Sequence, residues 1–326
     1  MKSWLAHPTK TWRPGSAVAA TLLALCFGAS APAGETGDLA SLRAEALALV
    51  NESRSRHGLD PLQVTERLNT AAQVHAEDML ERNYYSHTSP EGENVGDRFR
   101  ARGGSRWKKV AENIARCTGC PSVPTAERVS EFHEGWMNSP GHRRNILAPG
   151  LESFGFGIIG ENGRQFAVQT FAGPGMPLAL QSGEEPVALS AKEQVAAAAR
   201  LVNAEREQAG HADLKTSEAL NTLAQRLLPT DPSDDRIMER PNGLLELLPS
   251  GSEREWSAID VAAGGCGGCG MQPTGADVRY FVDQWLENPQ NREALLGSDA
   301  THIGFAMLAT GEGRKIAIAV AGNRLE

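Results

Sequence analysis

The chain repeats itself, and that constrains its fold more than any other feature. Val50-Asn51 recurs as Val202-Asn203, Arg54 as Arg206, Gly58 as Gly210, Leu62 as Leu214, and Leu68-Asn69-Thr70 as Leu220-Asn221-Thr222, each 152 residues on. Further along the spacing is 149: Cys117 and Cys120 recur as Cys266 and Cys269, Trp136 as Trp285, Pro140 as Pro289, and Gly155-Phe156 as Gly304-Phe305. Matches in one order at nearly constant offset mean a duplicated unit that has lost three residues in its second copy. The 326 residues therefore read as two domains. Pro174, Pro177 and Pro186 lie among Gly173, Gly175 and Gly183, too many breakers for a regular element. They divide the chain into a first domain over 38-173, a linker over 174-188 and a second domain over 189-326.

Within the first copy, Leu42, Ala46, Leu49 and Val50 have the spacing of an amphipathic helix over 39-56, closed by His57-Gly58. Leu68, Ala71, Ala72, His75 and Met79 mark a second helix over 66-82. Val95, Arg98 and Phe99 suggest a short helix that stops at Gly103-Gly104, and Ala126, Val129, Phe132 and Trp136 are the ridge of another over 125-138. Residues 154-158 and 165-171 read as two strands joined by a hairpin turn at Glu161-Asn162-Gly163. Helices first and a hairpin last imply an α+β class.

Residues 1-33 read as a secretory signal: Lys2, Lys10 and Arg13, an apolar small-residue run from Ser16 to Ala31, and the triplet Ala31-Pro32-Ala33. That run is too short for a comfortable transmembrane span, and no later stretch is longer. The expected product is exported to a periplasmic or extracellular space. Four cysteines then remain, as two C-x-x-C pairs, Cys117/Cys120 and Cys266/Cys269. Export favours a short disulfide in each loop. Four thiolates on one zinc is the sharper alternative, and it needs the two loops to meet. A net charge of -8 gives no global field for nucleic acid. The run Arg98, Arg100, Arg102, Arg106, Lys108, Lys109 reads as a solvated face, or more sharply as a place for an anionic ligand or cell-wall polymer at the cleft rim.

Chemistry concentrates in three segments: Tyr84-Tyr85-Ser86-His87-Thr88-Ser89-Pro90, Ala111-Glu112-Asn113-Ile114, and Trp136-Met137-Asn138-Ser139-Pro140-Gly141-His142-Arg143-Arg144-Asn145-Ile146-Leu147. With His75-Ala76-Glu77-Asp78-Met79 before them and Gly155-Phe156-Gly157 after them, this order resembles the CAP superfamily, also called SCP domains. That group takes in cysteine-rich secretory proteins, antigen 5 and plant pathogenesis-related proteins. Over roughly residues 40 to 173 the chain is most similar to its short bacterial branch. The resemblance implies tandem α-β-α sandwiches with antiparallel central sheets, the second copy degenerate. It also implies a cleft with two histidines and acidic residues, in which the histidines of some members hold zinc or another divalent metal. On this sequence His87, His142 and Glu112 match. The second acid is replaced by Ser139, as in the bacterial branch, and Glu131 and Glu134 are near but not at the matching position.

Two imidazoles and a carboxylate suit a divalent metal with open positions, a general base with an orienting acid, or a hydrogen-bonded polar cluster. No nucleophile elbow, phosphate loop or dinucleotide fingerprint accompanies them. His75 lies on an apolar helix face and reads as core, and His133 as surface or partly buried. In the second copy Asn291 stands for His142, and no histidine lies between Leu214 and Thr301 to stand for His87. Glu112 is matched by Val261 without a gap, or by Asp260 with a one-residue gap. The expectation is an exported, non-enzymatic binding protein whose first-domain cleft holds a divalent metal and a small apolar or glycan-like ligand. The alternatives are a zinc-dependent hydrolase or peptidase in the same cleft, and a structural or interaction module whose second domain covers the first domain's cleft.

Overall fold

The first helix begins where Asp38 accepts from the Ser41 backbone N–H and ends by Arg56, and it buries Leu42, Ala46 and Val50 along one stripe. The computed structural model describes residues 38–231 and 243–325, so the signal expected at 1-33 lies outside the described residues. In chain order the elements are α1 (Leu39–Ser55), β1 (Gln63–Val64), α2 (Glu66–Glu81), α3 (Val95–Arg100), β2 (Lys109–Thr118), α4 (Ala126–Asn138), α5 (Pro140–Ile146), β3 (Ser153–Glu161) and β4 (Arg164–Gly173). The series then starts again with α6 (Ala191–Gln208), β5 (Lys215–Thr216), α7 (Glu218–Leu227), β6 (Trp256–Cys266), α8 (Gly275–Glu287), α9 (Pro289–Leu296), β7 (His302–Ala309) and β8 (Lys315–Arg324). No helix among the described residues is long and apolar enough to cross a membrane.

Each copy builds a four-stranded sheet, in the orders β1-β3-β4-β2 and β5-β7-β8-β6. Both are antiparallel except at one edge, where two-residue β1 and β5 run parallel to β3 and β7. Asn162 and Gly163, both at positive φ, make the tight turn between β3 and β4. Strand alternation sorts the layers. Ala167 and Phe171 pack with Val50 of α1 and Trp136 of α4. Phe166 and Val168 on the other face pack with Ala72, Ala76 and Met79 of α2. The result is helices on both faces of each sheet, a mixed α and β fold of the expected class.

Two elements differ from the sequence reading. Residues 109–118, to which the sequence reading assigns no element, form the edge strand β2. After the break at Ser139-Pro140 the chain re-enters a helix, α5, because proline's missing N–H and fixed φ suit a first helical position.

The copies touch at a seam of backbone contacts. The Gly268 N–H donates to the Trp107 carbonyl at 2.6 Å and the Gly270 N–H to the Pro174 carbonyl at 2.8 Å. The Arg314 guanidinium stacks 4.0 Å from the Trp107 ring centroid. Gly175, at φ +76, lies so close to Gly268 that a Cβ there would sit 1.8 Å from the Gly268 oxygen.

Cys266 and Cys269 are joined in a disulfide, which removes the four-thiolate zinc. Cys117 and Cys120 stand as free thiols rather than the short bridge expected there. β6 ends on Cys266, so the chain turns at once, while β2 runs one residue past Cys117 and keeps it extended. Burial and the neighbouring Cys117 push the Cys120 thiol pKa up.

Candidate functional site

β2 is an edge strand, so side chains from both helical layers can meet around it. Glu112 and Ile114 point to the α2 side, while Asn113 points to the α5 side. Glu112 is 5% exposed and its carboxylate is doubly engaged. Its Oε1 lies 2.9 Å from His87 Nδ1 and its Oε2 accepts from Arg98 NH2 at 2.7 Å. A carboxylate can only accept, so His87 donates to it from Nδ1. The His87 side chain is about half exposed, at 52%.

The loop bearing His87 is tied down from beneath. Buried His75 binds the Ser86 carbonyl through Nε2 at 3.0 Å, and that same nitrogen stays 3.8 Å from Glu112. Burial holds the His75 pKa below its ordinary value, with the Glu112 charge opposing. The Tyr84 hydroxyl donates to Asp78 one turn of α2 away. Arg98 adds bonds to the carbonyls of Glu93 and His87, at 2.9 and 3.0 Å. Arg98 is thus buried at 5% exposure and belongs to the site, not to a solvated face as the basic run suggests. Its signal was its place on the apolar stripe of the short helix with Val95 and Phe99.

From the other layer α5 brings His142. Asn113 Nδ2 donates to the His142 carbonyl at 3.2 Å and to Gln169 Oε1 at 3.1 Å. Asn145 Nδ2 donates to the Glu112 carbonyl and to Asn113 Oδ1, both at 3.0 Å. An amide ladder therefore locks α5 to β2. The His142 pKa is lowered first by partial burial and then by the charge of His87, which places the two imidazoles within electrostatic reach. Ser139 sits at the N-cap of α5 and makes no capping hydrogen bond through its side chain. Glu131, one of the two nearby acids, is spent on Arg128. His133 is buried at 6%, deeper than its sequence context implies, with Nε2 2.9 Å from Ser53 Oγ.

Among the described residues no group of three or more His, Cys, Asp or Glu side chains is arranged to hold a metal. Glu112 is committed to His87 and Arg98, which leaves two imidazoles as first ligands and the carboxylate as the group that orients one of them. That donor set is one short of the three protein ligands usual in catalytic zinc sites.

Register decides what the second copy holds here. Glu112 pairs with Thr170 and Thr170 with Gly155, while Val261 pairs with Val320 and Val320 with Gly304. Since Gly155 and Gly304 correspond, Glu112 is replaced by Val261, which is buried against Leu248 and Trp256. Asp260 lies exposed on the opposite face and is not the surviving acid.

Comparison with known proteins follows this geometry. The family model described as "CAP: Cysteine-rich secretory protein family" matches residues 47–171 and 199–321. The uncharacterized protein YkwD of Bacillus subtilis is 37% identical over 111 residues, which are 34% of this chain and 40% of that protein. The crystal structure of an extracellular SCP-domain protein from Bacillus anthracis is 30% identical, with a TM-score of 0.33 over 40% of each chain. The matched stretch is thus about two-fifths of each of these relatives' own length. A structure titled NaASP2 with Zn2+ is 11% identical, with a TM-score of 0.32 over 40% of this chain and 78% of that one.

Proposed function

The chain belongs to the cysteine-rich secretory protein (CAP) family, and on that premise we propose that it is an exported binding protein whose first copy carries the working cleft. His87 and His142 are the recognition groups, Glu112 and Arg98 fix the first of them, and Asn113 and Asn145 fix the second. The reading rests on one observation: His87 is pinned through Nδ1 to a buried carboxylate while about half of its side chain is exposed. A preset imidazole tautomer of this kind serves a ligand that supplies a Lewis acid or a hydrogen-bond donor. His87 and His142 would hold a divalent metal, whose remaining positions are left to water or to a small polar or glycan-like ligand. The metal would supply Lewis acidity; the chain's own residues bind and orient, with Glu112 engaging Nδ1 of His87 so that Nε2 is the nitrogen that would take the metal. No nucleophile elbow accompanies His87 and His142, which favours binding over hydrolysis through a covalent intermediate.

Metal analysis of the purified protein after equilibration with zinc tests the reading. The expected result is about one ion per chain, lost in both His87→Ala and His142→Ala and weakened in Glu112→Gln by about tenfold or more, as for outer-shell partners elsewhere. Retention of the metal in both histidine variants would overturn the metal reading. Turnover of peptides or esters abolished by the same substitutions would replace binding with hydrolysis.

A further inference from the structure

Beside α5 is an open cavity of about 790 Å3. Lys109 from the start of β2 and Arg143 and Arg144 from α5 line it, and Met137, Leu147 and Pro149 supply an apolar wall. Among the described residues none of these three cations forms an ion pair, on a chain whose net charge is -8. Arg143 is nevertheless held in place. Its NH2 lies 3.1 Å from His57 Nε2, and His57 Nδ1 lies 2.7 Å from the Ser53 carbonyl. The carbonyl fixes the ring proton on Nδ1, so Nε2 accepts from the guanidinium. The fold does not require Lys109 or Arg144, because the corresponding second-copy residues, 149 positions on, are Ala258 and Glu293, while Arg143 recurs as Arg292.

We propose that this cavity is a second ligand site, which takes a phosphate group carried on an apolar or polyol body. Three converging cations match an anion of more than one charge better than a single carboxylate, and a guanidinium pairs with phosphate oxygens in a bidentate manner. The apolar wall then covers the body that carries the phosphate. Such a group reaches an exported protein on a phospholipid headgroup or on a glycerol phosphate polymer. Of the residues assigned to the metal cleft the cavity shares only Asn145, and none of its three cations belongs to that reading.

The test is calorimetric titration of the purified protein with inorganic pyrophosphate at low salt, on wild type, Lys109→Glu, Arg144→Glu and His142→Ala. Binding is expected to weaken about tenfold in each charge reversal, the loss of roughly one good charge contact, and to hold in His142→Ala. Both reversed residues are exposed, and unchanged thermal unfolding confirms that the fold persists. Cosedimentation with phosphatidylglycerol but not phosphatidylcholine vesicles assigns the lipid source. Competition of a glycerol phosphate polymer with pyrophosphate assigns the glycan source. Absence of saturable binding, equal affinity in the reversed variants, or pyrophosphate binding with neither source engaged (an adventitious ion only) would each overturn the proposal.

Discussion

The two copies differ least where hydrogen bonds hold the frame and most around the edge strand. Buried Arg54 donates to the carbonyls of Asp60, Ile146 and Ala148; Arg206 does the same to Ala212, Leu295 and Gly297, with Ala300 added. Asn51 and Asn203 each form a two-way amide clasp, with Leu62 and Leu214. Asn69 and Asn221 accept from the backbone N–H of Phe156 and Phe305. Against this constancy, Glu112 becomes Val261, Asn113 becomes Ala262 and His142 becomes Asn291. The lesson is that the frame residues are polar but structural. They satisfy carbonyls and N–H groups that the fold buries whether or not a cleft is present. Site polarity has no such duty and vanishes where it is not used.

The largest expected effect tests the frame. Arg54→Ala and Arg206→Ala each strip several buried carbonyls of a charged donor and should each lower the unfolding free energy by about 4 kcal/mol. Denaturant titration of both variants checks this, and a loss confined to one copy would break the equivalence. A smaller effect separates the copies. Trp136 Nε1 donates to the Ile114 carbonyl at 2.9 Å, while Trp285 Nε1 is buried without a partner. Trp136→Phe should therefore cost about 1 kcal/mol more than Trp285→Phe in the same titration. Equal costs would show that the second indole finds a partner in solution.

The smallest effect is in acid. Burial holds the His133 pKa below its ordinary value of 6.5, and the second copy has Val282 at that place. The unfolded chain then binds more protons below about pH 6.5, so stability falls as pH drops through 6.5 and levels once the folded protein is protonated as well. The slope per histidine cannot exceed about 1.4 kcal/mol per pH unit. His133→Val should flatten the stability profile between pH 6.5 and 5. An unchanged profile would place the acid sensitivity elsewhere, with buried His75 the next group to test.

The sequence showed the frame without its purpose. Arg54, Asn51 and Asn69 were visible as identities at one offset, yet nothing in the string says that they bond to carbonyls and N–H groups far along the chain. The long helices and the β3–β4 hairpin were legible because apolar periodicity and the Asn162-Gly163 turn are local signals. Arg98 was hidden because it opens a run of cations that looks solvated. The α5 helix was hidden because the proline that starts it also ends the helix before it. The choice between Val261 and Asp260 needed strand register, which only pairing with β8 supplies. His87, Glu112 and His142 were named from the resemblance, and the structure brings the first two into direct contact.

The seam has a consequence for how this tandem can drift. Gly175 and Gly268 approach so closely that even a methyl group on the former has no room. A copy relieved of its chemistry would ordinarily accumulate changes freely, but here the Cys266–Cys269 loop is the mould against which Trp107, two residues ahead of the Glu112 strand, is cast. The second copy therefore stays under constraint through its neighbour's shape, and a first copy expressed alone would begin its edge strand without that support.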